Sequence, residues 1–139
     1  MKKTFISILA VSLAINGYAE EYRSVLSCKT KDNKIIEVLQ NADIAVYRYG
    51  RGGKSAELEL KRELSETEIY LGKTYGNEIS NTIVFNNGKY QYQVISSVNK
   101  NAVTQEPKHG VLITRNSTYL GYKACVPSTV KGSLLDLSE

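Results

Sequence analysis

The stretch NTIVFNNGKYQYQVISSV, residues 81–98, decides the fold class. Its first half is apolar at Ile83, Val84 and Phe85, residues that favour a pleated, half-buried surface. In its second half Tyr90, Tyr92 and Val94 fall on one face and Gln91 and Gln93 on the other. That period of two belongs to a strand with one buried side. Asn87-Gly88 lies between the halves and is a preferred two-residue hairpin turn, because both positions of that turn need positive φ. The stretch predicts an antiparallel hairpin of residues 81–85 and 89–98.

The same grammar continues in both directions. Residues 22–30 read as a first strand carrying Cys28, residues 35–40 (IIEVLQ) as a second and residues 44–49 (IAVYRY) as a third, with polar turns between them. Gly50-Arg51-Gly52-Gly53 follows as a glycine-rich loop. AELELKR, residues 56–62, is built of good helix formers, but Ala56, Leu58 and Leu60 alternate with Glu57, Glu59 and Lys61, so a strand is expected. Residues 68–71 add a short strand. A polar loop over 99–108 precedes a last hairpin, 111–114 and 118–126, turning at Asn116-Ser117. The tail, 127–139, ends in Leu134-Leu135-Asp136-Leu137, a short helix or an edge cover. Seven to nine short strands without βαβ alternation predict an all-β fold, a small antiparallel barrel or sandwich forming one domain over 20–139.

The amino terminus reads as an address. Lys2 and Lys3 precede the apolar run FISILAVSLAI, and Gly17 and Ala19 flank Tyr18 at the spacing a signal peptidase reads. A secretory signal peptide over 1–19 is expected. The run is too short to span a bilayer, which takes about 20 apolar residues. Val25-Leu26-Ser27-Cys28 loosely resembles a lipoprotein processing site, but Glu20, Glu21 and Arg23 stand where such a signal stays uncharged, and Cys125 would lose its partner.

Processing removes two of the 18 basic side chains and none of the 14 acidic ones, leaving a net charge of +2. That is too small to point to nucleic acid or an anionic membrane. The two cysteines of an exported chain are expected to pair, Cys28 with Cys125, in place of a redox role.

Several catalytic patterns fail on inspection. Gly53-Lys54-Ser55 ends like a P-loop, but Arg48 stands where the first glycine is needed and a strand follows. Ser97 with Lys100 and Ser128 with Lys131 match Ser-x-x-Lys, yet Lys73-Thr74-Tyr75 breaks the companion Lys-Thr-Gly motif. His109 is the single imidazole, and the aspartates Asp32, Asp43 and Asp136 lie in turn or tail contexts. No catalytic group, cofactor or metal site is expected. Asn116-Ser117-Thr118 matches a glycosylation acceptor, but a tight turn explains it and the signal peptide looks bacterial.

The remaining chemistry is a contact surface. Tyr47, Arg48, Tyr49 and Arg51 run into the glycine-rich loop, and Lys54, Glu57 and Glu59 extend that patch. Charge is uneven: residues 57–68 hold five acids against two bases, and residues 100–131 hold five bases against Glu106 alone. An acidic strip of this kind can steer a cationic enzyme.

In layout the chain resembles the membrane-bound lysozyme inhibitors of C-type lysozyme, small periplasmic proteins with a signal peptide, a compact antiparallel barrel and an early cysteine bridged to a late one. The matching features are Ser27-Cys28, the strand series and Ala124-Cys125, over residues 22–126. That family inserts a Ser-Gly-x-x-Tyr segment into the lysozyme cleft; here Asn87-Gly88-Lys89-Tyr90 stands instead. Periplasmic immunity proteins, which neutralise cell-wall-degrading toxins, are similar in size and build. The resemblance implies a periplasmic, non-enzymatic protein that binds and inhibits a secreted or periplasmic hydrolase or toxin. The alternative is an envelope structural or small-ligand-binding β module.

Overall fold

The computed structural model describes residues 21–51 and 56–138. The signal peptide expected over 1–19 lies outside the described residues. Ten strands form: β1 (Arg23–Lys29), β2 (Lys34–Gln40), β3 (Ile44–Arg51), β4 (Leu58–Glu63), β5 (Glu68–Tyr75), β6 (Glu78–Asn87), β7 (Tyr90–Asn99), β8 (Lys108–Arg115), β9 (Thr118–Ala124) and β10 (Lys131–Gly132). The described residues contain 3-10 turns but no α-helix, and none of their helices is long and apolar enough to cross a membrane.

The strands make two five-stranded antiparallel sheets, in the orders β10-β1-β2-β3-β4 and β5-β6-β7-β8-β9. Strands β1–β4 and β5–β9 are each a meander of hairpins, and β10 returns from the second sheet to flank β1. The chain changes sheets at the 3-10 turn Leu64–Glu66 and returns after the 3-10 turn Pro127–Thr129. Of the two expected architectures the structure is a sandwich; the sheets do not close into a barrel. The extra strand is β10, two residues of the tail that pair with Leu26 and Ser27 of β1.

The hairpin that decides the class is present with a shifted turn. Asn87 pairs with Tyr90, so Gly88 and Lys89 are the turn residues, with Gly88 at φ +62°. Glycine at the first central position is the pattern of a type II′ turn, in place of the type I′ turn expected from Asn87-Gly88. The register sets Phe85 opposite Tyr92 and Ile83 opposite Val94. Both aromatic rings then reach Tyr47 of the facing sheet, with centroids at 5.6 Å for Phe85 and 5.5 Å for Tyr92. At the last hairpin Asn116 and Ser117 both take positive φ, as the sequence predicts.

Period two explains the core. Leu26, Cys28, Ile36, Val38, Ala45, Tyr47 and Leu60 face inward from one sheet, and Ile83, Phe85, Val94 and Val111 from the other. Arg62 of β4 crosses the gap and donates from Nη2 to the Asn86 carbonyl at 2.6 Å. The tail is part of the core, because Leu134 is fully buried between the sheets. Cys28 and Cys125 are bonded across a separation of 97 residues, which joins β1 to the segment leaving β9. Cys28 is therefore not a lipidated first residue here.

Candidate interaction surface

Strand alternation divides the expected contact patch. On β3, Arg48 points outward and registers between Glu37 of β2 and Glu59 of β4. Its Nη1 lies 3.6 Å from Glu37 Oε1 and its Nε 3.1 Å from Glu59 Oε2. The outer face of this sheet thus carries an acid–base–acid ladder that is half exposed. Such pairs contribute about 0–1 kcal/mol each to stability and are more useful as a charged surface. At the end of the sheet Lys34 pairs with Glu57, and its ammonium lies 6.0 Å from the Tyr49 ring centroid. The Glu57 N–H donates to the Tyr49 carbonyl at 2.9 Å, which fixes the approach of the chain into β4. Partial burial, with Asp32 and Glu57 nearby, pushes the Tyr49 hydroxyl above its ordinary pKa. Arg51 is exposed.

Tyr47 does not belong to this surface. It is 1% exposed, stacked on Phe85 and Tyr92, and burial raises its pKa strongly. Alternation on β3 is the reason: the residues before and after an outward Arg48 must point in. Lys54 lies outside the described residues. Arg48 and Glu59 share the outer face of the first sheet, whereas Tyr49 takes an inward position and packs against the core; Arg51 and Glu57 lie at the same end of the sheet.

The uneven charge acquires a geometry. Strands β4 and β5 are edge strands of their respective sheets and are joined by the turn at Leu64–Glu66. Glu57, Glu59, Glu63, Glu66 and Glu68 therefore line one lateral side of the sandwich. Strands β9 and β10 are the opposite edges, and they carry Lys123 and Lys131.

A polar network that the sequence did not announce lies inside. Ser96 Oγ is 2.7 Å from His109 Nδ1, and the Leu134 N–H donates to the same oxygen at 3.1 Å. Asn81 donates from Nδ2 to the Leu134 carbonyl at 2.9 Å and accepts the Gly72 N–H at 2.7 Å. Ser96 Oγ thus bridges the His109 ring and the Leu134 backbone; in the neutral ring the tautomer sets which of Ser96 and Nδ1 donates. Ser96 is 0% exposed, so this Ser–His pair anchors the carboxy-terminal turn and presents no accessible hydroxyl. Among the described residues no group of three or more His, Cys, Asp or Glu side chains is placed to hold a metal ion.

Burial holds His109 below its ordinary pKa of 6.5. The unfolded chain takes up this proton near pH 6.5, whereas the folded chain takes it up only at lower pH. The group therefore stabilises the fold above pH 6.5, and that stabilisation is lost as pH falls through the folded value. Protonation also makes Nδ1 a donor, so that the Ser96 oxygen can then only accept from it. The melting temperature is expected to fall more steeply from pH 7 to pH 5 in the natural protein than in His109→Gln. Parallel profiles in the two proteins would remove His109 from the account.

No family model matches this chain, and neither the curated proteins nor the solved structures contain a detectable match to it.

Proposed function

We propose that this is an exported, non-enzymatic protein of the periplasm that binds and inhibits a cell-wall-degrading enzyme, as a lysozyme inhibitor or as an immunity protein. The observation that carries the proposal is the acidic lateral side, Glu57 to Glu68, adjoining the Arg48 ladder and the Tyr49–Arg51 rim. A cationic enzyme is attracted by that side over about a Debye length, and the ladder and rim give it register. The disulfide suits an oxidising compartment, and a stapled sandwich presents its rim without an ordering cost on binding.

Affinity capture from periplasm and culture fluid is expected to recover a cell-wall hydrolase or toxin with Kd of about 1 µM or tighter, near −8 kcal/mol. Capturing nothing across such hydrolases would end the proposal. With the partner in hand, Glu57→Lys/Glu59→Lys is expected to slow association about tenfold at low salt and change dissociation much less. Both side chains are exposed, so the fold should be retained. Unchanged association kinetics would place the contact elsewhere on the molecule.

A further inference from the structure

We infer that the corner where the chain crosses between the sheets is a binding cleft for a single-chain amphiphile with an anionic head, such as a fatty acid. A cleft of about 490 Å³ opens there, within the roughly 300–1,000 Å³ of small-molecule sites. Leu64, Ile69, Leu71 and Leu137 give it apolar walls, and Gln40 and Lys73 are polar groups at its boundary. Leu64, Ile69 and Leu137 pack directly on the buried core, so a chain lying in the cleft would continue the hydrophobic interior.

The local backbone is shaped for this opening. Strand β5 is regular up to Tyr70 and again from Lys73, with its register broken between them. Gly72 sits there at φ +64°, and its N–H is taken by the buried Asn81 side chain of β6 in place of a backbone carbonyl. A bulge re-aims side chains and ends pairing locally, and this one places Leu71 in the cleft wall. On the other side the wall is Leu137, beyond the turn that Leu134 anchors.

Charge selects the head group. Among the described residues Lys73 is the sole ionic side chain lining the cleft. Its ammonium lies 5.8 Å from the Tyr70 ring centroid. Glu63, Glu66 and Glu68 belong to adjoining positions but line no part of the cleft, and Glu68 accepts a hydrogen bond from the Tyr70 hydroxyl. A carboxylate head beside Lys73 with an alkyl tail toward Leu64 and Leu137 satisfies both halves of the site.

The test is calorimetric titration of the full mature protein with three twelve-carbon probes below their micelle concentrations: dodecanoate, dodecanol and dodecyltrimethylammonium. Dodecanoate is expected to bind one site at least tenfold more tightly than the cation. Decanoate, two methylenes shorter, is expected to bind about tenfold more weakly than dodecanoate. Lys73→Glu should abolish or reverse the preference for the anion and leave dodecanol binding unchanged. Leu137→Asn should weaken all three probes while far-ultraviolet circular dichroism and the disulfide stay as in the natural protein. Equal binding of the three probes, no saturable binding at about 1 mM, or a Lys73→Glu protein that keeps the anion preference would each overturn the inference. The hydrolase capture above is a separate measurement, and either result can fail without the other.

Discussion

Removal of the Cys28–Cys125 bond by replacing both cysteines with alanine is expected to lower the unfolding free energy by about 4 kcal/mol. The bond closes a loop of 97 residues, and in the chain-entropy picture a cross-link of roughly 100 residues removes about 4.7 kcal/mol of freedom from the unfolded chain. A small domain holds about 5–15 kcal/mol in all, so the loss is a large share. Both cysteines are also buried, at 2% and 8% exposure, so the alanine pair loses some sulfur packing as well. Guanidinium titrations of the two proteins at one temperature measure the difference directly. A loss below about 1 kcal/mol would show that the unfolded chain is already compact near its two ends. Burial has a kinetic corollary: a reductant reaches the sulfurs only after β1 and the segment around Cys125 separate, so native-state reduction should be slow and should track local opening.

Leu134→Ala is expected to cost about 2–5 kcal/mol, the range for truncating a fully buried leucine. Leu134 is 0% exposed, and its own backbone N–H and carbonyl are held by Ser96 and Asn81. The hole cannot collapse easily, because the turn that carries the residue is tied at both polar groups. The neighbouring Leu135 is only half buried, and Leu135→Ala should cost clearly less. Were residues 127–139 a passive tail, both substitutions would stay within about 0.5 kcal/mol, as surface changes usually do. Equal midpoints for Leu134→Ala and the natural protein in denaturant would refute the anchoring role.

Much of the fold could be read from period-two patterning, since each meander is local and each strand advertises its buried face. Leu58 and Leu60 against Glu57, Glu59 and Lys61 outweighed a composition that favours helix, because burial in a sheet rewards alternation more than intrinsic propensity opposes it. Tyr90, Tyr92 and Val94 likewise share one face as expected. What escaped detection is non-local. The turn at Gly88-Lys89 lies one residue beyond the one expected and sets Phe85 opposite Tyr92, and both rings stack on Tyr47 of the opposite sheet, about 40 positions away. Tyr47 was read as surface through its neighbours in sequence, although the same alternation that exposes Arg48 buries it. The Ser96–His109–Leu134 network has no short-range signature; the histidine and the leucine stand 13 and 38 positions from Ser96, and only the packed sandwich joins them. Strand β10 is two residues long and carries no pattern of its own.

Residues 125–134 close this sandwich, so a chain synthesised from its amino end cannot complete the fold before they are present. A polypeptide emerging amino end first from a ribosome, or through a narrow translocation channel, can form β1 to β4 early, yet the free flank of β1 must wait for Lys131 and Gly132. The interior must likewise wait for Leu134, and the first sulfur for the second. Until residues 125–134 arrive, the molecule lacks a core plug, an edge and a clasp at once. A chain that lacks this segment is left with an open flank, an unfilled interior and an unpaired sulfur, so the topology makes locking the last event of folding.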